Sequence, residues 1–481
     1  MYTPAQLFSQ TTGIEENSEN VKPGNIFVAL PGEKNHGAFY IGDAISRGAK
    51  FILIDHTASC KIPFGIENNQ VIKVQNTRKY LTEILSLFYP QKPKNIVGVT
   101  GTNGKTSVVN FYQQICQLLD YKSASIGTLG ILKSGKKHKA TSNSTLTSPT
   151  SVELSKFLHE MSADGITHVA IEASSHGIVQ HRLDNIDFKA VGFTNFSQDH
   201  LDYHKTMDQY LDAKLRIFRS LLKEDHHAIL NADIEEYEKI RNICKQRKIK
   251  IIEYGMNAKD IQIKSMVRGE WKVSIHNKLY ELNTCLEGRF QLYNMLCSIG
   301  LALSNGINID SIAQIIHKVQ PVAGRMNLVA NCSNGAKIYI DYAHTPDSLK
   351  TALATLRSLC NGRLHLVFGC GGERDIGKRS LMGEIANDMA DHIIITDDNP
   401  RNENPEYIRR QILKKCKKGI EVQGRENAIK DAIKYLKSND ILLIAGKGHE
   451  NYQIIGNKKI PSSDFQIVKN FQNCYDLINI Q

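Results

Sequence analysis

Nothing in this 481-residue chain is apolar for long enough to span a membrane. Apolar runs such as Ile441–Ala445 and His392–Thr396 have the length of buried strands instead. The opening Met1-Tyr2-Thr3-Pro4-Ala5-Gln6 lacks the basic-then-apolar region of a secretory leader, so a cytoplasmic protein is expected. The ten cysteines contain no C-x-x-C pair. That argues against a metal-binding ribbon and leaves reduced, half-buried thiols of a cytoplasmic protein as the reading. No internal repeat and no low-complexity tract occurs. The net charge of +11 raises the question of nucleic acid. Yet the lysines are spread out, with short clusters at Lys133–Lys139 and Lys414–Lys418, and no basic motif is interleaved with aromatics. A generally basic surface, useful for small polyanionic substrates, fits better.

What is present begins with Val97-Gly98-Val99-Thr100-Gly101-Thr102-Asn103-Gly104-Lys105-Thr106-Ser107. An apolar strand enters a glycine turn, and a helix-like stretch follows through Leu119. Such a turn lets backbone N–H groups close on phosphates, and the helix N-terminus adds a favourable dipole. Lys105 can reach the terminal phosphates, and the Thr106 hydroxyl suits Mg²⁺. The general phosphate-loop pattern places glycine where Val99 stands, so this is a variant of it.

A chain of this length should hold about three domains. Strands are expected at Asn25–Leu30, Phe51–Asp55 and Gln70–Val74, forming an N-terminal α/β unit over residues 1–92. Pro90-Gln91-Lys92-Pro93-Lys94 reads as a linker. Residues 93–322 carry the phosphate loop and further strands, including Thr167–Ala173 and Lys189–Thr194. In residues 323–481, strands at Lys337–Asp341, Arg363–Phe368, His392–Thr396 and Ile441–Ala445 alternate with helical stretches. That alternation predicts an open parallel sheet with helices on both faces. The fold class expected is α/β: three domains, each a sheet with flanking helices.

Polar motifs follow the strands, where such sheets bind ligands. Glu172, near the end of an apolar strand, would be costly to bury without a partner or a metal. Asn195–His204 is rich in groups that could hold a metal or a phosphate. Lys214, on its own sequence, reads as a solvated helix lysine. Gly371-Gly372-Glu373-Arg374-Asp375, Asp398-Asn399-Pro400-Arg401 and Gly446-Lys447-Gly448-His449-Glu450 each follow an expected strand of the last domain. They could meet at one sheet edge, where a guanidinium fork would match a carboxylate and Asp398 or Glu450 an ammonium.

Four of these segments, in order, resemble Mur ligase motifs: the Thr-Gly-Thr-Asn-Gly-Lys-Thr loop, Glu172–Gly177, Asp199–His204 and Asp341–Pro346. Mur ligases form amide bonds with ATP in peptidoglycan synthesis. The resemblance runs along the whole chain and is nearest to members that add meso-2,6-diaminopimelate to UDP-N-acetylmuramoyl-L-alanyl-D-glutamate. It implies a central ATPase domain and a C-terminal Rossmann-like domain, ATP and Mg²⁺ as cofactors, and a monomer with no nucleic-acid or membrane partner. It assigns Gly101, Thr102, Asn103, Gly104, Lys105, Thr106, Ser107, Asn294, Arg325, Asp341 and His344 to ATP. Thr106 and Glu172 would hold one Mg²⁺; His200 and a carbamylated Lys214 would hold a second. Ser18, Glu33, Lys34, Asn35, Leu146, Thr147, Ser148, Ser174, Gln180 and Arg182 would meet the UDP-muramoyl dipeptide. Arg374, Asp398, Asn399, Pro400, Arg401, Gly446 and Glu450 would hold diaminopimelate. The chain departs from the family at Asn17-Ser18-Glu19, where Asp-Ser-Arg is usual. A lysine-adding relative, a folylpolyglutamate-type ligase, and a phosphate-loop ATPase that binds nucleic acid or regulates remain as alternatives.

Overall fold

The computed structural model describes residues 2–32, 35–56, 69–133, 136–137, 146–267, 270–471 and 476–477. Glu33 and Lys34 lie outside the described residues, as does most of the Lys133–Lys139 cluster.

Three large sheets follow one another along the chain, as the α/β reading expects. The first has four parallel strands in the order Gly13–Glu15, Asn25–Ala29, Phe51–Asp55 and Val71–Val74. Helix Thr77–Phe88 begins on an Asn76 side-chain cap and turns Leu81, Ile84 and Leu85 onto the sheet. The Pro90–Lys94 segment is not a free tether. Lys92 donates to the Asn185 carbonyl and the Gln91 amide to His159 Nδ1 (3.4 Å).

The second sheet has eleven strands. Its interior strands are buried on both faces, so they read as continuous apolar runs rather than alternating ones. Asn95–Thr100 lies between His168–Glu172 and Ala190–Phe193, parallel to both. The register sets Val99 beside Glu172 and Thr100 beside Phe193, so the loops after all three strands open on one edge. Helices Lys105–Leu118 and Arg289–Ser304 pack together on one face. The sequence reading missed the antiparallel extension Ile261–Val267, Glu270–Ile275 and Lys278–Asn283.

The third sheet corrects the expectation of an all-parallel arrangement. Five strands are parallel, in the order Gly419–Glu421, His392–Ile395, Leu364–Phe368, Ile441–Ala445 and Lys337–Asp341. Asn327–Asn331 and Asp476–Leu477 add an antiparallel edge. Helices cover both faces and bury two separate apolar clusters. The loops carrying Asp341–His344, Gly371–Arg374, Asp398–Arg401 and Gly446–Glu450 leave the same edge, the one that faces the phosphate loop.

Candidate active site

The phosphate loop is built for a tight backbone path. Gly101 has φ +135° and Gly104 φ +87°. A Cβ at Gly101 would lie 2.0 Å from Thr194 Oγ1, and one at Gly104 2.3 Å from Asn294 Oδ1. Both positions therefore require glycine. Neighbouring side chains fix the loop. The Thr102 and Asn103 amides donate to the Asn195 carbonyl and to Asn195 Oδ1 (each 2.9 Å). Thr194 Oγ1 donates to the Asn103 carbonyl at 2.6 Å. Helix Lys105–Leu118 starts with no side-chain cap, which leaves its N-terminus open to an anion.

Two lysines converge on this loop. Lys105 Nζ donates to the Gly101 and Thr102 carbonyls at 2.9 and 2.7 Å. Lys214 Nζ donates to the same Gly101 carbonyl at 2.7 Å and lies 4.4 Å from the centre of the Tyr210 ring. Lys214 is thus no solvated helix lysine; it is 1% exposed. Burial, and then the charge of Lys105, holds its amine well below the ordinary lysine range. Burial likewise lowers Lys105, opposed by Glu172 and Asp199.

Glu172 is buried and accepts from the Thr128 amide and hydroxyl at 2.8 and 3.0 Å. His200 holds a left-handed backbone (φ +54°) and sits 3.4 Å from Asp199. Burial pushes His200 down to about 3, so its imidazole is neutral at physiological pH. Burial would raise Asp199, but His200, His344 and Lys378 outweigh it and hold its carboxyl well below the carboxylate range. Sequence reasoning gave His176 no role and counted His204 only within the ligand-rich Asn195–His204 segment. Their rings lie 4.9 and 5.7 Å apart from partners at His200 and His176 respectively, and His204 Nε2 is 2.9 Å from Ser175 Oγ. His176 inside the Glu172–Gly177 motif and His204 at the end of the Asp199–His204 motif were the available signals.

A cavity of about 310 Å³ opens between the second and third sheets. Asn103, Gly104, Asn294, Arg325, Asp341 and His344 line it. Arg325 reaches across: its Nη2 donates to Thr106 Oγ1 at 2.9 Å, and its guanidinium lies 4.3 Å from the centre of the Tyr342 ring. Burial raises the Asp341 carboxyl, against Arg325 and the Met326 amide it accepts from at 2.5 Å. Phe290, Tyr254 and Tyr293 give this cavity aromatic walls that no sequence motif marked.

A second, smaller cavity of about 120 Å³ adjoins it, with Tyr342 and His344 lining both. Here the three late motifs meet, as their positions after strands led us to expect. Arg374, Asp398, Asn399, Arg401, Gly446 and Glu450 face Asp199 and His200 from the second sheet. Pro400 is not among its walls; its carbonyl accepts from the Glu403 amide. Arg401 also has a left-handed backbone (φ +54°), pinned by its amide to the Ile454 carbonyl (3.0 Å) and its carbonyl to the Gly456 amide (2.8 Å). Its Nη1 donates to the Gly372 carbonyl at 2.6 Å. Asn399 Nδ2 donates to Glu450 Oε2 at 2.9 Å. Burial, then Asp398, raises Glu450.

The muramoyl-side residues form a separate chain of contacts. Ser148 Oγ lies 2.9 Å from Ser174 Oγ and donates to the Glu172 carbonyl at 2.8 Å. Arg182 donates to the Ser148 carbonyl at 2.8 Å and to Gln180 Oε1. Thr147 touches Thr128, while Leu146 is exposed. Arg78, unmarked by sequence, bridges the Pro31 carbonyl (3.1 Å) and the Gln180 carbonyl. Ser18 is buried against Asp43, and Asn35 Nδ2 donates to the Tyr40 hydroxyl at 3.3 Å. At the atypical Asn17-Ser18-Glu19 turn, Arg47 supplies a guanidinium from elsewhere, donating to the Glu19 carbonyl at 3.3 Å.

Among the described residues no three His, Cys, Asp or Glu groups cluster as a metal site. Thr106 and Glu172 nonetheless present hard oxygen donors beside the loop, a donor set that fits Mg²⁺.

Comparison with known proteins gives a consistent outcome. Residues 10–89 match the pattern described as "Mur ligase family, catalytic domain", 99–302 the "Mur ligase middle domain" and 324–448 the "Mur ligase, glutamate ligase domain". A UDP-N-acetylmuramoyl-L-alanyl-D-glutamate–2,6-diaminopimelate ligase from Rickettsia typhi is 41% identical over 98% of this chain and 95% of its own length. A solved structure of a ligase with that same name superposes with a TM-score of 0.65 at 29% identity, covering 95% of this chain and 94% of that one. The MurF ligase of Thermotoga maritima in complex with ADP shares the fold, with a TM-score of 0.63 at 19% identity over 91% of this chain and 94% of that one.

Proposed function

The chain belongs to the Mur ligase family, and from that premise we propose that it joins meso-2,6-diaminopimelate, using ATP, to the γ-carboxylate of D-glutamate in UDP-N-acetylmuramoyl-L-alanyl-D-glutamate. The observation that carries the reading is the small charged cavity holding Arg374, Arg401, Asp398 and Glu450 against Asp199 and His200, next to the nucleotide-sized cleft. A second carboxylate distinguishes diaminopimelate from lysine, and Arg401 with Arg374 supplies forked donors for it. Glu450, Asp398 and the Gly446 turn hold the amino end.

The three units, residues 1–92, 93–322 and 323–481, divide the work: uridine and muramoyl end, ATP, and incoming amino acid. Ser18 and Asn35, with the Glu33–Lys34 loop, meet the nucleotide sugar. Ser148, Ser174, Gln180 and Arg182, flanked by Leu146 and Thr147, guide the peptide toward the phosphate loop. A carboxylate is a poor electrophile. Its oxygen takes the γ-phosphoryl group, breaking the bond to the β-phosphate oxygen and releasing ADP. The amine then attacks the acyl carbon, loses a proton, and inorganic phosphate leaves. Lys105 leaves its loop carbonyls to neutralise the moving phosphoryl oxygens. Asn294, Arg325, Asp341 and His344 hold the rest of the nucleotide. Mg²⁺, held by Thr106 and Glu172, would spread the negative charge of the phosphates.

Lys214 has a second task in this reading. Its desolvated surroundings favour the neutral amine, the form whose lone pair adds to CO₂. The nitrogen bonds to carbon, a proton leaves, and the resulting carbamate would, with neutral His200, hold a second Mg²⁺ through its anionic oxygens. The reading takes the enzyme as a monomer acting in the cytoplasm, where its nucleotide substrates would be available. The test is ATP turnover with the UDP-muramoyl dipeptide and either meso-diaminopimelate or L-lysine. Turnover with diaminopimelate is expected; preference for lysine reassigns the enzyme among its relatives, and turnover that needs nucleic acid instead overturns the reading.

A further inference from the structure

Lys378 is a buried cation, 6% exposed, with no hydrogen-bond or close ion-pair partner among the described residues, and the carboxylate its charge acts on is Asp199. The lysine lies in the first turn of helix Gly377–Met389, whose first amide, that of Gly377, donates to Asp375 Oδ1 at 2.9 Å. A positive charge at the positive end of a helix is unfavourable, and burial adds desolvation. The adjacent Arg379 shows how this helix treats a charge that serves structure. It is fully buried but bound to Glu403 at 2.8 and 2.9 Å and to the Gly371 carbonyl at 3.1 Å. Lys378 instead lines the small cavity.

Its position in that cavity narrows the choice of anion. The charge of Lys378 acts on the Asp199 carboxyl, on the second-sheet side beside His200 and the phosphate loop. Arg401 is tied instead to the third sheet's own loops through the Gly372 carbonyl, while Arg374 reaches Asp202 at 3.6 Å. A cation facing Asp199 and a guanidinium anchored on the third sheet's loops would serve different anions.

We propose that Lys378 is a further catalytic residue, whose ammonium binds the phosphoryl oxygens as they pass from ATP to the acyl phosphate and leave as inorganic phosphate. The inference rests on the ligase reading above. It gives the third domain a hand in phosphoryl transfer, as well as in holding the amino acid. Charge on the three phosphoryl oxygens is neutralised from the side opposite Lys105.

The test compares Lys378→Met, of similar shape without charge, with Lys378→Arg. In the absence of diaminopimelate, rapid-quench mixing of enzyme, ATP and UDP-muramoyl dipeptide reads formation of ADP in the first turnover. Lys378→Met should slow that step ~100-fold, the usual size for loss of one such donor. Inhibition by inorganic phosphate should weaken, ADP affinity should persist, and Lys378→Arg should recover part of the rate. The ligand-free Met variant should melt higher than wild type, because an unpaired buried charge is gone. A lower melting temperature with all steps impaired would mean a structural lysine. An intact first turnover with a raised KM for diaminopimelate would move Lys378 to the amino-acid carboxylate. Either result, or a variant equal to wild type, overturns the proposal. Failure of the wild type itself to turn over ATP with dipeptide and diaminopimelate would strike the ligase reading instead.

Discussion

The two adjoining cavities are made in opposite ways. The phosphate end is a stretch of contiguous backbone, with two glycines, open helix amides and two lysines folded onto its own carbonyls. The amino-acid end has little backbone character. It is a set of charged side chains from three loops far apart in sequence, gathered because parallel strands end on one edge. In the proposed reading the first recognises what every such reaction shares, a polyphosphate. In that reading the second recognises what distinguishes one ligase from another. Damage to the first should therefore stop all chemistry, whereas damage to the guanidinium and carboxylate groups on the three loops of the second should change mainly which amine is used.

The largest expected effect is at the phosphate end. Lys105→Ala, in a folded protein, should reduce turnover by on the order of 10³-fold with every amino acid offered. Lys214→Ala should be comparably damaging, and short carboxylic acids added to it should restore part of the rate by replacing the carbamate oxygens. Near-normal turnover in either variant would remove that lysine from the chemistry. At the amino-acid end, Arg401→Ala should weaken diaminopimelate by about 2–5 kcal/mol, much of it from leaving the ligand's carboxylate unpaired. Steady-state kinetics with each substrate varied should show the change in the diaminopimelate KM and little in those for ATP or dipeptide. An equal rise in all three would erase the distinction between the cavities.

A smaller effect sharpens it through pH. Burial and Asp398 raise Glu450 above the ordinary 4.5, whereas Asp199 is held far below its usual range. As pH falls toward the raised value, Glu450 takes up a proton first and loses its attraction for an ammonium. Asp199 stays ionised, and His200, at about 3, stays neutral. The diaminopimelate KM should therefore climb on acidification before the ATP KM does, and Glu450→Gln should flatten that climb. Parallel pH profiles for the two substrates would contradict the assignment. The smallest effect should come from Leu146→Ala. An exposed side chain at the rim should change the dipeptide KM no more than a few-fold, measured the same way.

This division also explains what could be read from the sequence. Strands such as Phe51–Asp55, Lys337–Asp341 and Ile441–Ala445 were legible to the residue, because strands buried on both faces are unbroken apolar runs. The phosphate loop was legible for a similar reason: its residues are neighbours. The antiparallel hairpins beyond Gly255 were not, since their alternating pattern is half-exposed and Lys-rich. Lys214 was the sharpest misreading on local grounds. A lysine in Met207–Arg216 looks solvated, and only tertiary packing against Tyr210 and Gly101 buries it. The aromatic walls of the nucleotide cleft come from helix Arg289–Ser304 and strand Lys250–Gly255, two elements with no motif in common.

The grip of Asn195 on the Thr102 and Asn103 amides carries a thermodynamic consequence. The loop's curvature is set when the second sheet folds, so most of its ordering entropy is already spent before a nucleotide arrives. Arrival then demands only the release of a lysine from two carbonyls, a side-chain event on the nanosecond scale rather than a backbone rearrangement. Those two amides should resist hydrogen exchange equally in the empty and the loaded protein, while the amides of Gly104 and Lys105 gain protection on loading. The cradle behaves as a rigid mould with a removable plug.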